Sequence, residues 1–329
     1  MAESTATAPA KDLYDVVIVG GGAAGLGAAL TLARARRSVL IIDSGEARNA
    51  PAGHVHNYLG REGTPPDELY AIGREEVVGY GAEIIPGTVT TAHKEDDGGF
   101  RVGIDGGRSA RGRRLLVTTG LVDGLPAIEG LADRWGRDVL HCPYCHGWEV
   151  CDQAIGVIAL NIGPAMHQAL LWRQWTDDVT LFLHTAEAPS SEQREQLEAR
   201  GITVVTGEVA AVEADADVLT GVRLKSGEVI ARQAVAVMTR MDARAGFLDD
   251  LGMETAEQNF GDLVVGTFVA SEPTGATSVP GVYVAGNVTN LMAQVIVAAA
   301  AGVNTGAMIN ADLMMEDTRL AVEARAVSV

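Results

Sequence analysis

The sequence holds little cysteine, little lysine and few aromatic side chains, and its positive charge is heavily outweighed. Three cysteines among 329 residues exclude a disulfide-stapled scaffold and fit a reducing compartment, so a cytoplasmic protein is expected. Lys and Arg total 25 against 43 Asp and Glu, a formal net charge of −18. That balance argues against nucleic acid or an anionic membrane surface as partner, and disfavours an acidic protein such as a ferredoxin. The apolar run Val295 to Gly302 falls far short of the roughly 20 residues that span a bilayer. It is interrupted by Asn304 and is expected to form a buried helix ending near Asn310. Residues 1–11 are small and polar, without the basic start and apolar centre of a signal peptide, and are expected to form a disordered tail. No second Cys-x-x-Cys and no His-x3–5-His pair follows the first cysteine pair. A zinc site therefore lacks ligands, and no metal is expected.

What is present reads as α/β. Hydrophobic residues make up 47% of the chain, arranged as repeated strand–glycine–helix units. Asp15-Val16-Val17-Ile18-Val19 predicts a buried parallel strand. It runs directly into Gly20-Gly21-Gly22-Ala23-Ala24-Gly25, which fits G-x-G-x-x-G, and Ala28 to Ala33 continue as a helix. A second strand, Ser38 to Ile42, ends at Asp43, about 20 residues past the glycines, where a ribose hydroxyl needs an acceptor. Gly20 allows the tight turn, Gly22 lets backbone approach a pyrophosphate, and Gly25 lets helix and strand pack closely. The pyrophosphate would rest on N–H groups at the helix N-terminus.

A second constellation is Cys142-Pro143-Tyr144-Cys145, flanked by His141 and His146. Without further metal ligands the pair reads as a redox dithiol. Both histidines are candidates for moving its protons, since an unperturbed imidazole titrates near 6.5. His146, directly after the pair, is expected to take the proton of an incoming thiol and to hold positive charge near Cys145. Cys151 reads as a small buried residue leading into the next strand.

Three later segments identify the dinucleotide by resemblance. Leu115-Leu116-Val117-Thr118-Thr119-Gly120, Val282-Tyr283-Val284-Ala285-Gly286-Asn287, and Met292-Ala293-Gln294-Val295 opening an Ala-rich helix resemble the FAD-binding signatures of two-dinucleotide-domain flavoprotein reductases. Asn287 replaces the usual Asp. Over its whole length the chain resembles the low-molecular-weight thioredoxin reductase family. The resemblance implies two Rossmann-like domains: a discontinuous FAD domain over 1–122 and 244–329, and an inserted domain over 123–243 carrying the cysteine pair. It further implies a homodimer, Cys145 against the flavin, and Cys142 as the thiol that exchanges with substrate. His146 stands where that family commonly has a proton-donating Asp. Flavin contacts are implied for Gly20, Gly22, Ala23, Ala24, Gly25, Asp43, Ser44, Asn49, His54, Asn57, Val89, Thr119, Gly120, Gly286, Asn287, Ala293, Gln294 and Val295.

The second nucleotide site departs from the family pattern. After the strand Ala154 to Ala159 the sequence reads Leu160-Asn161-Ile162-Gly163-Pro164 instead of a glycine-rich loop. Side chains there obstruct a pyrophosphate, and Pro164 lacks an N–H. After Asp178 to Leu183, His184-Thr185-Ala186-Glu187 supplies no arginine for a 2′-phosphate. The string Cys-Pro-Tyr-Cys-His-Gly-Trp-Glu resembles bacterial dithiol oxidases that close disulfides in natural products, as in the holomycin and depsipeptide pathways, with the fungal gliotoxin oxidase as a relative. A small dithiol substrate, a dithiolopyrrolone foremost, and O2 as electron acceptor are the implied partners. Two alternatives stay open: a ferredoxin- or NADPH-dependent disulfide reductase, and a non-enzymatic flavin redox sensor.

Overall fold

A computed structural model describes residues 8–327. Of the expected tail, residues 1–7 lie outside the described residues. The remainder is tied down, because the Ala10 N–H donates to Glu83 Oε1 at 2.9 Å. The first strand, Tyr14–Val19, pairs in parallel with Val39–Asp43 and with the long strand Arg108–Val117. Glu83–Pro86 extends one edge, and Val282–Val284 joins the far end of Arg108–Val117 in parallel. The near end of that long strand instead carries an antiparallel meander, Val89–Lys94 and Phe100–Ile104. Val16 and Ile18 pack with Ala28, Ala29 and Leu32 of the helix Ala23–Arg34, whereas Val17 and Val19 pack with Leu115, Val117 and Val284. Both faces are covered, which is why the strand is a continuous apolar run and not an alternating one.

The middle of the chain forms a second, all-parallel five-stranded sheet. Its order is Thr203–Val205, Val179–Phe182, Ile155–Ile158, Ala234–Val237, Val139–Leu140. The chain passes between the sheets at Leu121–Gly124 and returns at Arg240–Ala243. These two segments pair antiparallel with each other, so the crossovers form one ribbon within a four-stranded sheet. The cysteine pair follows directly on Val139–Leu140, at the carboxyl end of a parallel strand, where open α/β sheets present ligand sites.

The C-terminal helix differs from expectation. It runs Val295–Val327, well past Asn310, and by length and composition alone it is long and apolar enough to cross a membrane. Its first half is instead a core element laid on Ala23–Arg34, and glycines set the approach. A Cβ at Gly302 would lie 2.0 Å from the carbonyl oxygen of Ala24, and one at Gly27 would lie 2.7 Å from that of Ala299. The second half continues because its carboxylates meet arginines of the sheet. Asp312 accepts both Nε and Nη2 of Arg114, at 2.6 and 3.0 Å. Asp317 accepts from Arg37 and Arg113 at 2.7 and 2.5 Å.

Gly302→Ala tests this seam. A methyl raises intrinsic helix propensity by at most about 1 kcal/mol, but here it meets backbone that cannot rotate away, and overpacking of that kind costs about 1–3 kcal/mol or more. The variant is expected to melt at lower temperature and to retain less flavin on gel filtration. A melting point equal to or above that of the native protein removes the seam from the stability argument.

Candidate active site

One cavity of about 900 Å³ runs from the first glycine loop to the cysteine pair. At one end lie Gly20, Gly22, Ala23 and Ala24, with Asp43 and Ser44 beside them. Gly20 sits at φ +105° with a Cβ position 2.6 Å from the Thr118 carbonyl oxygen, and a Cβ at Gly25 would lie 2.0 Å from the Gly20 carbonyl oxygen; a Cβ at Gly22 would meet nothing within 4 Å. Gly25 therefore acts in helix–strand packing and does not line the cavity, while Gly22 leaves it open. Asp43 accepts the Gly21 N–H at 3.0 Å. This cradle, with bare backbone, a carboxylate after the second strand and a long adjoining cavity, fits a dinucleotide.

The middle of the cavity is lined by Asn49, His54, Val89, Thr119 and Gly120, and its far wall by Gly286, Asn287 and Ala293 to Val295. Asn49 accepts from the Tyr70 hydroxyl at 3.0 Å, and the Thr119 hydroxyl donates to the Arg244 carbonyl at 2.6 Å. Asn287 shows why Asp is absent there. Its Nδ2 lies 3.1, 3.2 and 3.0 Å from the carbonyl oxygens of Asn290, Leu291 and Ala293. A carboxylate has no hydrogen to donate and would repel all three. Asn57, at φ +59°, does not line the cavity. Its Nδ2 donates to the Tyr144 carbonyl at 2.6 Å, so it clamps the cysteine turn from the FAD domain.

Cys142 caps a one-turn helix, Pro143–His146. Pro143 fits there because the first-turn N–H has no intrahelical partner. All three cysteines are thiols. Cys142 and Cys145 share a hydrogen bond, with Cys145 as donor. That bond, aided by the backbone N–H groups of Cys145 and Tyr144 and by the Arg48 charge, outweighs burial and brings Cys142 down to about 7. The same bond, with burial, pushes the Cys145 thiol up. Within the dithiol a thiolate is favoured at Cys142, the sulfur that accepts from the backbone N–H groups of Cys145 and Tyr144. Cys151 is half-buried outside the cavity.

The two histidines differ from expectation in charge. Burial pushes His146 below the ordinary histidine range; Glu149 opposes the shift and His56 adds to it. Burial and then Arg48 do the same to His141, against Asp123 and a hydrogen bond to the Val237 carbonyl. Both rings are therefore neutral near pH 7. His146 is available as a base, and Arg48 is the cation whose charge favours a thiolate at both sulfurs. Among the described residues His141 Nδ1 is buried without a partner.

Several groups here went unassigned from the sequence. Arg48 binds Asp123 through two hydrogen bonds of 2.7 and 2.7 Å, and the Thr239 hydroxyl donates to Asp123 at 2.8 Å. Gln168 donates to the His141 carbonyl at 3.0 Å and accepts from the Trp172 indole at 2.8 Å. Tyr144 stands edge-on to Trp175 at 5.6 Å, and Trp148 is 78% exposed. Of these, Tyr144 and Trp148 stand in the Cys-Pro-Tyr-Cys-His-Gly-Trp-Glu string.

The second nucleotide position is built differently. The helix Ile162–Trp172 is capped by Asn161, whose side chain accepts the Gly163 N–H at 3.1 Å. Ile162 and Pro164 are buried. Phe260, from the hairpin Ala256–Phe260 and Leu263–Phe268, lies against this end, 3.6 Å from a Cβ position at Gly163 and 6.3 Å from the His167 ring. The His184 ring accepts the Val209 N–H at 3.0 Å, and Glu187 is exposed.

Comparison with known proteins agrees with this geometry. Residues 14–302 match the family profile described as pyridine nucleotide-disulphide oxidoreductase. The thioredoxin reductase tcpT of Claviceps purpurea is 29% identical over 324 residues, 93% of this chain and 96% of that protein. The thioredoxin reductase aclD of Aspergillus oryzae is 30% identical over 292 residues, 84% and 89% of the two chains. The crystal structure of HlmI superposes with a TM-score of 0.90 at 42% identity, covering 98% of this chain and 99% of that one. An oxidoreductase from Agrobacterium tumefaciens superposes at 0.85 with 35% identity, covering 92% and 99%.

The thiol geometry makes a direct prediction. In the reduced protein, iodoacetamide should label Cys142 before Cys145, with a rate that rises through pH 7. Below that pH the thiol is protonated and slow; above it the thiolate reacts. Peptide mapping that finds Cys145 labelled first reverses the assignment of charge within the pair.

Proposed function

The chain belongs to the pyridine nucleotide-disulphide oxidoreductase family and binds FAD, and from that premise we propose that it is an FAD-dependent thiol oxidase closing an intramolecular disulfide in a small dithiol. The observation that carries this reading is the pairing of an open FAD cavity, lined by Cys142 and Cys145, with a second nucleotide position capped by Asn161 and covered by Phe260. Electrons then enter from substrate thiols and leave to O2. A dithiolopyrrolone-type substrate is favoured by the Cys-Pro-Tyr-Cys-His-Gly-Trp-Glu string, and the exposed Tyr144 and Trp148 offer apolar surface to such a molecule.

One substrate thiolate attacks Cys142 Sγ of the oxidised pair, forming a mixed disulfide and releasing Cys145 as the leaving sulfur. His146, neutral through burial, takes the proton of the incoming thiol. The second substrate thiolate attacks the mixed disulfide and leaves as the cyclic disulfide, with Cys142 as leaving thiolate. The Cys145 hydrogen bond and the helix N–H groups stabilise that leaving thiolate. When bound, FAD would supply the two-electron acceptor for re-forming the Cys142–Cys145 disulfide, with O2 as the final oxidant and H2O2 as product. Gly20 to Ala24 and Asp43 would hold its dinucleotide portion, and Thr119 to Gly120 and Gly286 to Val295 the remainder.

Purified protein should consume O2 with a small dithiol and no NADPH, and micromolar NADPH should leave the flavin oxidised under anaerobic conditions. Rapid bleaching by NADPH would instead indicate a reductase, and absence of turnover with any dithiol under air a redox sensor. His146→Ala should slow anaerobic flavin reduction by dithiol about 10²–10⁴-fold, the range for a lost general base. The deficit should shrink as pH rises from 6 to 9 and substrate thiols ionise unaided. Near-normal reduction at pH 7 would move the base role to His141.

A further inference from the structure

Arg48 and Asp123 meet where the two sheets are joined. Arg48 lies in the loop after Val39–Asp43, Asp123 on the outgoing crossover Leu121–Gly124, and Thr239 next to the returning strand Arg240–Ala243. The guanidinium grips both carboxylate oxygens at 2.7 and 2.7 Å, and the Asp123 side chain is only 7% exposed. Lysine has no such planar fork. Arg48, Asp123 and both cysteines line the same cavity.

The other charged and titratable groups around the sulfurs are engaged elsewhere or neutral. His56 stands between Glu62 and Glu149, at 2.6 and 3.3 Å. Arg244 faces Glu46 at 3.7 Å and Arg74 faces Asp43 at 3.5 Å. His141 and His146 are held neutral by burial. After the hydrogen bond between the two sulfurs and burial, Arg48 is the side-chain cation that bears on the pair, and it favours the thiolate at Cys142 and at Cys145 alike. Asp123 and Arg48 act on His141 in opposite senses.

We propose that Arg48 is a positioning residue whose charge sets the ionisation of the Cys142–Cys145 pair, and that Asp123 is the counter-charge which aims the guanidinium from the crossover ribbon and moderates its field. The proposal rests on the dithiol reading of the site but not on the electron acceptor or the substrate. Its signature is a difference of sign. Arg48→Met and Asp123→Asn break the same ion pair, so a purely structural tie responds alike to both. A charge effect responds oppositely, because one variant leaves an uncompensated carboxylate and the other an uncompensated guanidinium.

The experiment is the pH dependence of iodoacetamide labelling at Cys142 in flavin-loaded protein, reduced anaerobically with dithiothreitol and desalted. Arg48→Met should raise the apparent pKa by about one unit, which is about tenfold slower labelling below it. Asp123→Asn should shift the profile toward lower pH. Shifts of the same sign, or no shift in either variant, would overturn the proposal. Should Arg48→Met lose its flavin, Arg48→Lys and Arg48→Gln supply the comparison. Both lose the fork and only lysine keeps the charge. A profile close to native for lysine and shifted upward for glutamine upholds the proposal, whereas equal shifts refute it. Labelling needs neither O2 nor a natural dithiol, so its outcome is separate from that of the oxidase assay.

Discussion

Backbone contact between two helices from opposite ends of the chain holds the cavity in shape. Ala23–Arg34 begins at the glycine loop, and Val295–Val327 begins at the far cavity wall. They approach so closely that Gly27, Gly302 and Gly306 have no room for a Cβ against Ala299, Ala24 and Ala28. Because Ala24 and Ala298 both line the cavity, the spacing of that seam sets its width. The arginine–carboxylate pairs along the second half of the long helix keep it on the sheet after its apolar residues run out.

At the helix Ile162–Trp172, which follows the strand Ile155–Ile158 of the five-stranded parallel sheet, side chains of Asn161, Ile162 and Pro164 form the N-terminus in place of a glycine-rich loop. Asn161 accepts the Gly163 N–H and Pro164 has none, so fewer N–H groups are left there for a pyrophosphate, and Phe260 lies against the same end. The same helix carries Gln168, whose amide holds the His141 carbonyl. A glycine at 147 admits Trp175, since a Cβ there would lie 2.7 Å from the indole nitrogen.

Charge at the redox turn is divided among separate groups. Backbone N–H groups and the Cys145 thiol stabilise negative sulfur at Cys142, Arg48 supplies the positive field, and the histidines remain uncharged and able to accept a proton. One histidine cannot hold a fixed positive charge and serve as a base at the same pH. Assigning the cation to arginine, which does not deprotonate, removes that conflict.

Read as a sequence, the chain discloses whatever depends on near neighbours. The glycine loop, the acid after the second strand and the dithiol turn are each contained in a short stretch, where the spacing is itself the chemistry. The departures at the second nucleotide position are legible for the same reason: side chains stand at Leu160 to Pro164 where the family has glycines, and no arginine follows the next strand. Asn57 was placed on the flavin, but the fold turns its amide onto Tyr144, 87 positions away. The helix was expected to stop near Asn310, but arginines far upstream extend its partners beyond that point. The exchange of the expected His146 cation for Arg48 depends on burial and on a carboxylate 75 positions distant, itself bonded to Thr239 a further 116 away. Local spacing determined which cofactor chemistry the chain supports. Desolvation and long-range pairing, which exist only once the sheets are packed, decided which groups carry charge within it.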